Sequence, residues 1–385
     1  VKISITIILS LLLLGFAFAQ SSKPYFFASK HCRDSVTLNL VAHIEATVLL
    51  PLNQDSYTKW TSAFWAMEIM LYKPAGLQQK IPQLLQVISS TPANFQRAFF
   101  EMLYTLYPKE FGKKVEGIWF NLAEDKIKSM ALEYMAQAAI FPAIKNDNSF
   151  YLSEYYSFYI NRWKQAEVPQ PSKNAFLQPD FLPGQNVLVS FQSTNRDKPG
   201  YLMFRTAEGK WLKDVKGKVF KFTQLARSIS NLPFYLTNGN TPQGLYKIVG
   251  FDTSNNNWIG PTTNLQLVMP FENGTEFFFG KDTSFNNLYK KLLGNLAKYT
   301  SLWQSYQAGK IGRSEIIAHG TTIDPQYYIH QKYFPCTPSL GCLCSPETWN
   351  SNGERIFSAQ FDWIKVLQTL KTLPVYLVVA EVKDL

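Results

Sequence analysis

Two short segments carry side chains that can act as a nucleophile and its base. Ile316-Ile317-Ala318-His319-Gly320-Thr321-Thr322 is a strand-like apolar run that delivers a histidine to a glycine turn. About twenty residues later, Thr337-Pro338-Ser339-Leu340-Gly341-Cys342-Leu343-Cys344 delivers a cysteine from a second glycine. A thiol is a weak nucleophile until a neighbouring imidazole takes its proton or stabilises the thiolate. Glycine beside each side chain lets substrate and backbone approach closely and frees amide N–H groups to face a developing oxyanion. Taken alone, the same residues also fit a hydrogen-bonded strand histidine and a structural cysteine. A zinc site or redox pair built from Cys336, Cys342, Cys344, His319 and His330 does not match the usual Cys-x2-4-Cys spacing, so no metal is expected.

The elements that must position these residues are legible as a change of period along the chain. Between about 55 and 165 apolar residues recur at helical spacing, most clearly Ile127, Met130, Ala131, Tyr134, Met135 and Ala138, then Trp60, Phe64 and Met67, and Phe95, Ala98, Phe99 and Leu103. Breaks are expected at Pro74, Pro82, Pro92 and Pro108. The Pro-rich stretch 169–184 reads as a linker. Beyond it the pattern alternates: 187–191, 201–204, 245–249 and 265–269 predict strands, with helical spacing around 284–306 and 354–370 and a final strand over 375–382. The expected fold class is α+β: a helical N-terminal domain over 20–168, the linker, and a mainly β domain over 185–385.

With 385 residues, 46% hydrophobic and 17% charged, the chain has apolar surface for more than one core, and disorder is excluded for the whole. Lys+Arg 38 against Asp+Glu 28 gives a net charge of +10. The cations are scattered and no zinc-finger, RRM or helix-turn-helix pattern occurs, so the surplus suits an anionic envelope polymer and no nucleic-acid partner is expected. Lys2, the apolar run from Ile3 to Phe18 and Ala17-Phe18-Ala19 before Gln20 read as a secretory signal peptide over 1–19 cleaved after Ala19, the alternative being an uncleaved anchor. No later run is long and apolar enough for an integral membrane segment, so the mature chain is expected in the periplasm or cell envelope.

A third segment, Thr241-Pro242-Gln243-Gly244-Leu245-Tyr246-Lys247-Ile248, precedes the histidine and cysteine segments. In this order the three resemble the L,D-transpeptidase (YkuD-type) catalytic domain, with its Thr-Pro-x-Gly-x-aromatic-x-Ile strand, His-Gly-Thr turn and Ser-x-Gly-Cys nucleophile. The resemblance covers roughly 185–385 and leaves the helical domain without a role. It implies a cell-wall transferase of peptidoglycan biosynthesis and cell shape: Cys342 as nucleophile, His319 as base, Gly320 orienting the ring through its carbonyl, and the Gly341 and Cys342 amides as oxyanion hole. The implied reaction forms a thioester with a tetrapeptide stem and passes it to an amine, giving a 3-3 crosslink or an exchange, with no cofactor and with inhibition by carbapenems. Tyr246, Ser339, His330 and Trp349 are candidate substrate-binding residues, and Trp258 and Tyr327-Tyr328 candidate groove walls.

Two positions depart from the family pattern. Leu340 stands where a second histidine is usual, and Cys344 where Arg or Asn is usual, which removes an imidazole and a cation from beside the nucleophile. His330 is a candidate replacement for the imidazole. The rival readings are a catalytically silent muropeptide-binding or scaffolding protein and a same-fold peptidoglycan hydrolase. If Cys342 is free, a Cys336–Cys344 bridge and a bridge from Cys32 to either both stay open.

Overall fold

In the computed structural model, which describes residues 23–143, 149–164, 168–383 and 385, the first half of the chain is a helical assembly. The predicted signal peptide lies outside the described residues. The helices are α1 (Lys30–Val48), α2 (Tyr57–Met70), α3 (Leu77–Val87), α4 (Ala93–Leu106), α5 (Gly112–Glu116), α6 (Asp125–Gln137) and α7 (Glu154–Lys164). α6 forms where 13 residues lack Gly and Pro; Ile127, Met130, Ala131, Tyr134 and Met135 turn into the core, and Asp125 sits in the first turn, where its charge suits the helix dipole. Pro74 and Pro108 fall between helices and Pro92 caps α4. Pro82, expected as a break, lies inside α3. It removes one backbone hydrogen bond, but Ile81, Leu84 and Leu85 around it are buried, and that burial holds the helix together. α1 had no readable period because much of its surface is exposed; it starts at an N-cap, with Ser29 Oγ accepting the Cys32 N–H.

The second half is built on an eight-stranded mixed sheet in the order β3-β2-β1-β10-β4-β5-β6-β7. Its strands are β1 (Val187–Ser193), β2 (Gly200–Arg205), β3 (Phe222–Gln224), β4 (Gly244–Asp252), β5 (Asn264–Val268), β6 (Ile317–His319), β7 (Leu343–Cys344) and β10 (Tyr376–Val382), with β8 (Glu347–Trp349) and β9 (Arg355–Ser358) forming a separate hairpin. Four helices accompany it: α8 (Thr275–Phe279), α9 (Phe285–Leu293), α10 (Gln304–Lys310) and α11 (Ala359–Gln368). The final strand is not at an edge. β10 runs parallel to β1 and antiparallel to β4, between the two. All seven residues of β1 are buried, so both faces of the sheet centre are covered. The outer strands meet: Leu225, just past β3, exchanges two 2.8 Å backbone hydrogen bonds with Cys344 of β7, which curls the sheet towards closure.

The Pro-rich stretch 169–184 is packed structure. Phe176, Phe181 and Leu182 are fully buried with Val187, Val189 and Phe191 of β1, because proline rules out helix and ladder bonding but not burial of the aromatic residues between. The two halves also interlock. Leu232, Tyr235 and Leu236, from the loop before β4, are buried in the helical core. The class is α+β, with helices and a large mixed sheet in mutual contact.

Candidate functional site

Strand pairing sets the histidine and cysteine segments side by side. β6 and β7 run parallel, with Ala318 opposite Leu343 and His319 opposite Cys344. Ala318 and Leu343 face the inner core, so by alternation Ile317, His319, Cys342 and Cys344 face the other side. Cys342 precedes β7 by one residue and is a free, half-buried thiol. Its Sγ accepts the Ile317 N–H at 3.5 Å and donates to the Glu315 carbonyl at 3.4 Å. The His319 ring is buried, with Nδ1 hydrogen-bonded to the Gly320 carbonyl at 2.5 Å. No hydrogen bond joins His319 to Cys342; the two lie one diagonal step apart on the same face.

Burial pushes the Cys342 thiol up to about 11, with Glu315 and Glu272 adding to the effect and the Ile317 amide and Arg313 opposing it. Burial holds the His319 imidazolium below its usual range against the Gly320 bond. The resting pair at neutral pH is therefore a thiol beside a neutral imidazole.

The first and third motifs meet in the turn that carries Cys342. Ser339 Oγ accepts the Gly341 N–H at 3.1 Å and donates to the Cys342 carbonyl at 2.8 Å, while Thr241 Oγ1 donates to the Gly341 carbonyl at 2.8 Å. Ser339, expected to touch substrate, shapes this turn instead. It also occupies one of the two amides expected to form an oxyanion hole, leaving the Cys342 N–H as the one not engaged by a side chain. The histidine turn rests on Glu347: its carboxylate accepts from Thr321 N–H at 2.8 Å, Thr262 Oγ1 at 2.6 Å and Ser358 Oγ at 2.5 Å. A Cβ on Gly320 would lie 2.1 Å from that carboxylate, so only glycine fits there. Glu347→Gln presents an amide to at least one of those donors. It is expected to destabilise the fold by about 1–3 kcal/mol, read as a lower midpoint in urea, and to slow any reaction that needs the His319 ring in place.

A cleft of about 270 Å³ opens over Cys342. Its β-side wall includes Arg313, Glu315 and Leu340, and the helical assembly supplies Lys126 of α6 and Tyr155 of α7. Arg313 is a site residue that sequence reasoning missed. Its Nη1 donates to the Phe234 carbonyl and, at 2.9 Å, to that of Asn240; its Nη2 donates to Gly239 at 2.5 Å. A cation thus reaches the cleft from a turn before β6. A lone arginine after glycine carries no period or spacing that could have pointed to it.

Several predicted site residues lie elsewhere. Tyr246 is fully buried and donates its hydroxyl to the Pro242 carbonyl at 2.6 Å, bracing the first motif rather than lining a groove. Trp349 is buried, its Nε1 donating to Thr321 at 2.9 Å behind the histidine turn. His330 is exposed on the loop between β6 and β7 and contacts neither His319 nor Cys342, so it does not replace the missing imidazole. That loop docks the helical assembly: Tyr328 donates to the Ile69 carbonyl at 2.7 Å and Tyr327 bonds Thr37. Trp258, between β4 and β5, packs on Trp65 at 5.9 Å. Cys32, Cys336 and Cys344 are buried free thiols, so neither proposed bridge is present. Among the described residues no group of three or more His, Cys, Asp or Glu converges as a metal site, and no helix is long and apolar enough to cross a membrane.

Comparison with models of protein families, with curated proteins and with solved structures finds no match to this chain.

Proposed function

We propose that this chain is an L,D-transpeptidase-like cysteine acyltransferase of the cell envelope, acting on peptidoglycan stem peptides. The observation that carries the reading is the placement of Cys342 in a cleft, on the same sheet face as a histidine whose Nδ1 is fixed by a backbone carbonyl. That bond orients the ring and leaves Nε2 to exchange a proton. Reaction begins when the thiol turns from the Glu315 carbonyl towards His319 and gives up its proton. The sulfur attacks the peptide carbonyl, the oxyanion takes the Cys342 N–H, and the C–N bond breaks as the leaving amine, D-alanine, collects the proton from His319. A second amine then attacks the thioester, returns a proton through His319 and frees the thiolate, so that a crosslink or an exchanged peptide results. Water in place of that amine makes the same site a hydrolase.

Incubating the purified protein with a carbapenem and weighing it tests this. A covalent adduct on Cys342 that is lost in Cys342→Ala is the expected outcome; an intact, folded protein with no adduct overturns it. A second reading, a muropeptide-binding protein without catalysis, is favoured by the raised thiol and by the missing His319–Cys342 hydrogen bond, and predicts binding of stem peptides without an adduct.

A further inference from the structure

Arg313 is held in an unusual way for a cation. It is half-buried, and no carboxylate lies within ion-pair distance of it among the described residues. A guanidinium carries five N–H donors; three bonds go to the carbonyls of Phe234, Asn240 and Gly239. Those carbonyls fix its position without neutralising it. Nη2 lies against the nucleophile turn so closely that a Cβ on Gly341 would sit 2.4 Å from it. Arg313 and Cys342 line the same cleft. Arginine does not shed its proton under ordinary conditions, so a partly desolvated guanidinium without a carboxylate needs an anion from elsewhere. Two groups near it can become one: the Tyr246 phenol, fully buried with its hydroxyl donating to the Pro242 carbonyl, and the Cys342 thiol, which lines the cleft.

We infer that Arg313, rather than His319, is the counter-ion that stabilises the Cys342 thiolate. The inference rests on Cys342 being the nucleophile of the proposed reaction. It divides labour within that site: His319 moves the proton, while Arg313 holds the charge left on sulfur and keeps the Gly239–Asn240 and Gly341 backbones in register around it. The mutual coupling is consistent with this. Burial brings the Arg313 guanidinium down to about 10, with Tyr246 and Cys342 acting in the other direction, and Arg313 in turn opposes the rise of the thiol. The other charged or titratable groups around the thiol are Glu315 on the same turn as Arg313, Glu272 after β5, Lys126, Tyr155 and Tyr235 lining the cleft, and His319 and Cys344 on the shared sheet face. The two glutamates oppose ionisation, which is why a nearby fixed cation matters.

The test follows iodoacetamide alkylation of Cys342 against pH, read by peptide mass spectrometry so that the buried thiols do not interfere. Arg313→Gln keeps a side chain able to donate to the loop carbonyls but removes the charge; Arg313→Lys keeps the charge. The expected result is a midpoint raised by about one unit in Arg313→Gln, hence about tenfold slower alkylation below the midpoint, little change in Arg313→Lys, and none in His319→Gln. A purely structural clip would leave Gln and Lys alike, and that result overturns the inference. So does a midpoint displaced by His319→Gln as far as by Arg313→Gln. Should Arg313→Gln not fold, His319→Gln and Arg313→Lys decide together: an unchanged midpoint in both supports the inference, and a displaced one in either overturns it. Because alkylation needs no acyl donor, a failure here is distinct from an absent carbapenem adduct.

Discussion

Gly341→Ala is expected to abolish covalent labelling of Cys342 and to lower stability by several kcal/mol. Two independent effects act at this residue. Its φ of 115° is in the region that favours glycine, and forcing alanine there costs about 1–3 kcal/mol. The added Cβ would also stand 2.4 Å from Arg313 Nη2 and 2.6 Å from the Gly239 carbonyl. Neither neighbour can yield cheaply: the carbonyl is backbone, and the guanidinium is pinned by three carbonyls of the same loop. The turn must therefore open, which releases the Thr241 and Ser339 bonds that aim the cysteine. Gly217→Ala is the control, with φ of 81° and nothing within 4 Å of the new atom. It should cost only the backbone term and leave labelling intact. Carbapenem adduct formation and urea denaturation of the two variants separate strain from loss of the site; equal labelling in both would show that the turn tolerates the methyl group.

The second large effect is a loss of stability as pH rises from about 5 to about 8. Three carboxyl groups are buried where the helices meet the second half of the chain. Burial raises Glu68 well above the usual carboxylate range, and the neighbouring Glu101 adds to this against a Thr105 hydrogen bond. Burial takes Glu101 to about 7, opposed by Arg97 and by Asn238, whose Nδ2 donates to Glu101 Oε1 at 3.1 Å. Glu133 is raised by burial too, although Arg162, Tyr235 and Trp163 all favour its charged form. A carboxyl whose folded value exceeds its unfolded value binds more protons when folded, so stability is full below the ordinary value of 4.5 and falls as pH rises through about 7 for Glu101, with Glu68 acting in the same direction. The unfolding midpoint should be several degrees lower at about pH 8 than at about pH 5. Glu101→Gln should flatten that slope and raise the midpoint on the alkaline side. A midpoint independent of pH across that window in the unmodified protein would remove this account.

Side-chain identity near a motif does not say which partner takes the polar atom. Tyr246, Ser339 and Trp349 were expected in a groove because they are aromatic or polar and adjacent to the motifs, yet each spends its polar atom on backbone that shapes a motif turn. A large amphipathic ring announces that it needs a partner for its polar tip, not whether that partner is a ligand or the chain itself. Pro82 makes a similar point: local cost is overruled where the neighbouring apolar residues are buried on both sides.

The features legible in the amino-acid order are local: helical spacing over most of the first half, the short β-rich apolar runs of β1, β2, β4 and β5, and the two glycine turns that present His319 and Cys342. These are legible because a repeating pattern reports which face of a segment is buried and glycine reports where the backbone must pass closely. Which segment covers each face was set by long-range packing. It set β10 between β1 and β4, joined Leu225 to Cys344, brought Arg313 against Gly341 and placed Lys126 and Tyr155 over the thiol. Each of those contacts joins residues distant along the chain, where no periodicity reaches, and is selected by the packing of the whole molecule.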